Sequence, residues 1–160
     1  MKLFEWQSDL DTGVALVDEQ HRQYARFTNA FLKASGQGRA PRAKMIEAFG
    51  FLKAYAREHL SMEESLMDEY GFEGAEAHKI QHARFRDWTV KAADRLQDLE
   101  EPDSDFLLKV NYMLVDWFQQ HIRNVDRSLT SFLRRKAEES RDPALIRIIK
   151  GIIKGSGKGS

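Results

Sequence analysis

The chain contains five histidines, His21, His59, His78, His82 and His121, and each lies in a setting that suits a metal ligand. Two intervals put a second donor one helical turn away, in His59-Leu60-Ser61-Met62-Glu63 and in His78-Lys79-Ile80-Gln81-His82. A four-residue step turns about 40° around a helix and rises about 6 Å, so both members of each pair face the same way. The last histidine opens a looser set, His121-Ile122-Arg123-Asn124-Val125-Asp126. Imidazole and carboxylate together suit iron, manganese or zinc. The absence of cysteine excludes thiolate-held zinc, iron–sulfur clusters and a disulfide framework.

Helices must carry these donors. An opening arm, about 1–17, holds Trp6, Leu10, Val14 and Leu16 without a sustained period and reads as an extended cover. A first run, roughly 18–34, aligns Val17, His21, Tyr24, Thr28, Phe31 and Leu32, and Gly36-Gln37-Gly38 ends it. A second opens at Pro41 and lines up Met45, Phe49, Leu52, Ala56, His59, Glu63, Leu66 and Met67 before Tyr70-Gly71-Phe72-Glu73-Gly74 breaks it. A third carries His78, His82, Phe85, Trp88 or Thr89, Ala92, Leu96 and Leu99. The fourth, after caps offered by Glu101-Pro102-Asp103-Ser104, shows Phe106, Val110, Met113 or Leu114, Trp117, His121, Val125, Leu129 and Phe132. In every run the imidazole or carboxylate takes a slot in the apolar series, so the donors are expected to point inward. Short connections predict an all-α, up-down-up-down antiparallel four-helix bundle, an architecture that builds metal sites from facing helices.

Bulk properties agree with that architecture. At 160 residues the chain is one ordinary domain that can bury most of its surface. Lys+Arg and Asp+Glu balance at 25 each, and no helix-turn-helix or zinc-finger spacing occurs, so nucleic acid is not an expected partner. The first residues lack the apolar run of a secretory signal and no stretch is long enough to span a bilayer, which predicts a soluble, cytoplasmic protein.

A lone histidine on an apolar stripe is ordinarily a hydrogen-bonded core residue. Five of them with two carboxylates and no metal would leave polar groups buried unpaired at roughly 1–3 kcal/mol apiece. If two metals share Glu63, Asp126 and one solvent oxygen as bridges, five imidazoles divide unevenly: one metal reaches six ligands and the other stops at five, with one position open to an exogenous ligand. The interval from His121 to Asp126 turns about 140° in an ideal helix, so it requires a π-bulge or an Asp126 that reaches another side of the metals.

The stretches Gly13-Val14 to Val17-Asp18-Glu19-Gln20-His21, His59-x3-Glu63, His78-x3-His82 and Trp117-Phe118-Gln119-Gln120-His121-Ile122 to Asp126 resemble the hemerythrin family, in its single-domain bacterial form. The likeness covers about 4–132. The related myohemerythrin is itself a reference case of the up-down-up-down bundle, so that topology is part of what the resemblance implies. It further implies two non-haem iron ions, with His78, His82 and His121 on one, His21 and His59 on the other, Glu63 and Asp126 bridging, and dioxygen bound reversibly on the His21/His59 side for transport, storage or delivery. A sensing or interaction role toward oxygen or nitric oxide, or a peroxide-using enzyme, are the alternatives. Carriage rather than enzymatic oxidation fits the ligand type, since no Glu stands three residues before any of the five histidines, as it does in carboxylate-rich di-iron proteins. Asp18 precedes His21 by that interval and reads as a cap or an outer partner.

On this reading 1–136 forms the di-iron bundle and 137–160 a tail. Two positions depart from the family pattern: Phe118 where Leu is usual, and Tyr24 where an aliphatic residue is common. With Trp117 they are expected to line the ligand pocket, Phe118 as filler or as a barrier to water and anions, Tyr24 as a hydrogen-bond donor or as packing with its hydroxyl at the surface. From Arg134 onward eight basic residues face three acidic ones. Asp142-Pro143 can start a basic amphipathic helix with Leu145, Ile146, Ile148, Ile149, Ile152 and Ile153 on one face and Arg147, Lys150 and Lys154 on the other. Residues 143–154 are thus expected to touch a membrane surface or a protein, or to pack back on the bundle or form a dimer contact, in a monomer or weak homo-oligomer.

Overall fold

The computed structural model describes residues 2–34 and 42–151. The expected stop at Gly36-Gln37-Gly38, the start at Pro41, and Ile152, Ile153, Lys154 and the Gly/Ser-rich end lie outside those residues. The described chain is helical. Helix α1 is Ala15–Ala34. Helix α2 joins Arg42–Tyr55, a π-turn Ala56–Leu60 and Ser61–Tyr70. Helix α3 is Ala75–Asp98. Helix α4 joins Ser104–Tyr112, a π-turn Met113–Trp117, Phe118–His121, a second π-turn Ile122–Asp126 and Arg127–Ser140. Helices α1 to α4 form the expected antiparallel bundle, and a short α5, Pro143–Lys150, follows.

Local chemistry sets the ends. Asp18 caps the entry to α1 by accepting hydrogen bonds from the Thr12 amide (2.8 Å), the Thr12 hydroxyl (2.7 Å) and the Gly13 amide (3.1 Å). Its role is therefore to hold the turn, and α1 begins a turn earlier than the sequence suggested. Gly71 ends α2 in the left-handed region, where a residue without Cβ is unstrained, and Phe72 N–H then bonds the Met67 carbonyl at 2.9 Å. Asp103 caps α4 by accepting from the Phe106 amide at 2.7 Å.

The arm is extended apart from one 3₁₀ turn, Ser8–Leu10, and three side-chain amides grip its backbone. Asn29 pairs with both backbone groups of Phe4, Asn111 with both of Lys2, and Gln119 donates to the Glu5 carbonyl. An isolated strand's polar groups are thereby satisfied without a sheet. Phe4 is buried against Tyr24 and Phe118, so the arm closes one flank of the bundle.

All the donors predicted to face inward do so. The apolar series holds in α1 and α2, whereas in α4 it shifts: Trp117, Val125 and Phe132 are only half-buried, and Phe118, Ile122, Asp126, Thr130 and Leu133 take the interior positions. The two π-turns explain this, because each fits an extra residue into a turn and rotates the later side chains relative to a 3.6-residue count. Among the described residues no helix is long and apolar enough to cross a membrane.

Helix α4 runs past position 136 to Ser140, and Asp142, capping α5, also accepts from the Tyr70 hydroxyl at 3.0 Å. Leu145 is fully buried with Leu66, Met67, Leu129 and Leu133, while Ile146, Ile148 and Ile149 are partly buried against that cluster. Helix α5 therefore packs back on the bundle end, which supplies the tertiary support that eight residues need to stay helical.

Candidate metal centre

The seven predicted donors meet in the interior between the four helices, all of them buried. His21 comes from α1, His59 and Glu63 from α2, His78 and His82 from α3, His121 and Asp126 from α4. The π-turn Ala56–Leu60 carries His59, and the π-turn Ile122–Asp126 brings Asp126 round beside His121, with the Nε2 of His121 3.0 Å from Asp126 Oδ1. The bulge that the five-residue interval required is thus present at that place.

The donors fall into two overlapping sets. Glu63, His78, His82, His121 and Asp126 form one, and His21, His59, Glu63 and Asp126 form the other. Each carboxylate turns one oxygen to each set. Glu63 Oε2 lies 3.3 Å from His82 Nε2 and 3.7 Å from His78 Nε2, while its Oε1 lies 3.6 Å from His59 Nε2. Asp126 Oδ1 faces His78 and His121, at 3.1 and 3.0 Å, and its Oδ2 faces His21 at 3.2 Å.

A cation fits this arrangement. Both oxygens of Glu63 and of Asp126, and the Nε2 atoms of His78, His82 and His121, are buried without a hydrogen bond, although they stand 3.0–3.7 Å apart. His21 and His59 bring their Nε2 atoms to 3.2 Å of each other. A protein core does not leave so many polar atoms unpaired at about 1–3 kcal/mol each unless something charged joins them. The electrostatics of the metal-free cluster point the same way. Burial, and then the charge of Asp126, push the Glu63 carboxyl well above its ordinary range. Burial also raises Asp126, but His121 and the hydrogen-bonding reach of His121, His21 and His78 overcome it and hold that group well below. Burial, then its neighbour His21, keep His59 far below an ordinary imidazole, and burial with His78 and His121 lowers His82 to about 3. Neutral imidazoles are the form that ligates metal.

The outer faces of the imidazoles differ. Gln20 Oε1 sits 2.7 Å from His59 Nδ1, and Glu64 Oε1 sits 3.0 Å from His82 Nδ1 while accepting from Arg86 at 2.7 Å. Such partners fix which ring nitrogen is free to ligate. Sequence reasoning missed Gln20, Glu64 and Arg86. Gln20 and Glu64 each stand directly beside a donor, a weak signal that could have been used.

Around His21 and His59 the wall is aromatic. Phe118 meets His21 edge-on at 5.7 Å, and Tyr24 stacks on Phe118 at 3.8 Å. Tyr55, absent from the sequence-derived stripe, lies nearly parallel to His59 at 4.7 Å and 4.9 Å from Tyr24. Its signal was available, for it stands one turn before His59. Two expectations are corrected. Tyr24 is wholly buried, so its hydroxyl is not at the surface; helix α1 turns that face to the core. It lies near Thr28 yet makes no well-formed hydrogen bond. Trp117 does not join this wall: the first π-turn of α4 swings it between His121 and Phe85, both at 4.9 Å and nearly parallel.

Comparison with known proteins agrees with this geometry. Residues 12–133 match the Hemerythrin HHE cation binding domain family. Bacteriohemerythrin of Pseudomonas paraeruginosa is 30% identical over 135 residues, 84% of each chain, and that of Stenotrophomonas maltophilia is 31% identical over 128 residues, 80% of each. The fold is similar to a crystal structure of wild-type hemerythrin, with a TM-score of 0.66 at 24% identity over 79% of this chain and 94% of the other, and to a point variant of hemerythrin with a TM-score of 0.67 at 24% identity over 81% and 99%. With the matched region spanning the arm's end and all four donor-bearing helices, the chain belongs to the hemerythrin HHE cation-binding family.

Proposed function

We propose that this chain holds two iron ions in the buried cluster and binds dioxygen reversibly, as a carrier, store or local source rather than an enzyme. His78, His82 and His121 would hold one ion, His21 and His59 the other, with Glu63 and Asp126 shared. An iron pair supplies reversible two-electron chemistry toward dioxygen, which no side chain here can supply alone. The observation that carries the reading is the split of each carboxylate, one oxygen toward a set of five donors and one toward a set of four. The shorter set is the half with room for an outside ligand.

The protein's own residues have three tasks in this reading. Gln20 and Glu64 orient His59 and His82 through their outer nitrogens. Phe118, Tyr24 and Tyr55, with Phe4 behind them, keep bulk water from the His21/His59 half. Burial keeps His59 and His82 neutral. Metal analysis and a visible spectrum test the proposal together. Two irons per chain are expected, with a colourless reduced form that gains charge-transfer absorption in air and loses it under vacuum. One metal per chain, or absorption that does not reverse, would reject it.

A further inference from the structure

Tyr24 and Tyr55 place two phenol hydroxyls inside the aromatic wall, and neither makes a hydrogen bond among the described residues. Phenylalanine would fill either position at no polar cost, so the hydroxyls call for a physical reason. Tyr24 has a nearby companion, because Thr28, one turn further along α1, also carries a buried and unbonded hydroxyl and opposes the upward push of burial on the phenol. A small rotation would pair those two.

Among the described residues Tyr55 has no hydroxyl partner of that kind. Its ring lies on His59, meets Phe118 edge-on at 5.7 Å, and reaches Tyr24 and Phe51 on its other sides. Its hydroxyl is buried, and the contact of its ring with His59 sets the phenol beside the donor cluster. A buried phenol held by rings on several sides, with no acceptor for its hydroxyl among the described residues, can donate to a ligand from outside the chain.

We propose that Tyr55 is the specificity-determining residue of the His21/His59 half, donating its hydroxyl proton in a hydrogen bond to the outer atom of a small acceptor ligand, an azide-like anion or reduced dioxygen. Tyr24 backs it by packing. The assignment rests on the two-metal reading above and adds a polar contact to what is otherwise an apolar chamber. Ligands that end in an acceptor atom gain from it, and ligands that lack one do not.

The test uses azide and the full chain. Tyr55→Phe is expected to weaken azide binding to the oxidised iron-loaded protein by up to about tenfold, the size of one net hydrogen bond, whereas Tyr112→Phe, at an exposed tyrosine away from the cluster, leaves it unchanged. In zinc-loaded protein carrying ¹³C-labelled tyrosine, azide should shift one phenolic carbon resonance, and that resonance should be missing from Tyr55→Phe. The metal-free Tyr55→Phe chain should melt no lower than the parent, which excludes a folding defect. Two metals per chain with unchanged azide affinity, or no tyrosine shift on azide addition, would overturn the role of Tyr55 alone. Fewer than two metals per chain would overturn the two-metal reading and the proposal with it.

Discussion

The two halves of the buried cluster share their carboxylates and differ in the groups that stand behind their imidazoles. Behind His78, His82 and His121 the protein supplies a charged link that leads outward, from His82 to Glu64 to Arg86, and a half-buried indole stacked on His121. Behind His21 and His59 it supplies a neutral amide, Gln20, and a closed group of rings, Tyr24, Tyr55 and Phe118. One set has five donors and an outward link that ends on a partly exposed Arg86. The other has four donors and a wall of buried rings. A single bundle can therefore surround one kind of donor with two unlike environments by changing only the neighbours.

The most severe way to break this comparison is to remove a shared group. Asp126→Ala takes one oxygen from each set and should reduce bound metal from the proposed two to one or none per chain, measured by elemental analysis after dialysis. Retention of two metals would show that the carboxylate is not shared. Next in size are the outer partners. Glu64→Ala should weaken metal binding about 10–100-fold, as such partners typically do, and Gln20→Ala by less, because a neutral amide polarises an imidazole less than a carboxylate does. Competition with a chelator measures both, and equal losses would erase the asymmetry between the halves.

Acid should act on the metal-free chain in a direction fixed by His82. The folded group takes up a proton only at about 3, but an unfolded imidazole does so near 6.5. As pH falls below about 6.5 the unfolded state gains protons first, so stability declines from there toward about pH 3, by up to about 1.4 kcal/mol per pH unit for this one group. Glu63 has the opposite sign: its raised carboxyl costs stability as pH rises above 4.5. Denaturant unfolding across pH reads both, and a metal-free Glu63→Gln chain, in which the opposing carboxyl is gone, that gains stability on acidification from pH 6 to pH 5 would contradict the His82 assignment. The smallest effect belongs to Phe118→Leu. It should cost about 1 kcal/mol of stability and shorten the lifetime of the proposed oxygenated form by letting water reach the His21/His59 half. An unchanged lifetime would reduce Phe118 to filler.

Much of the site was legible because helical spacing is a strong code. His59 with Glu63 and His78 with His82 had to share a face, and their places in apolar stripes had to turn them inward. The path from His121 to Asp126 was legible only as a conflict with the ideal helix, and a π-turn resolved it. The same device defeated the reading of α4 elsewhere. A strict 3.6-residue count put Trp117, Val125 and Phe132 in the core, and the two inserted residues gave those places to Phe118, Ile122 and Leu133 instead. Tyr55 escaped notice because Ala56 filled the same turn of the stripe, and the adjoining π-turn let both residues be buried.

The order of residues alone determined which side chains could ligate, which helices carry them and that they face a common interior, since these follow from periodicity within single helices. The division of the donors into a set of five and a set of four, with each carboxylate turned to both, was implied by the family resemblance but placed only by the tertiary structure, which alone revealed that phenols line one half and a Glu64–Arg86 link the other. Those features depend on the rotation of each helix against its neighbours. Three π-turns and the packing of the arm set that rotation, and no local pattern records it.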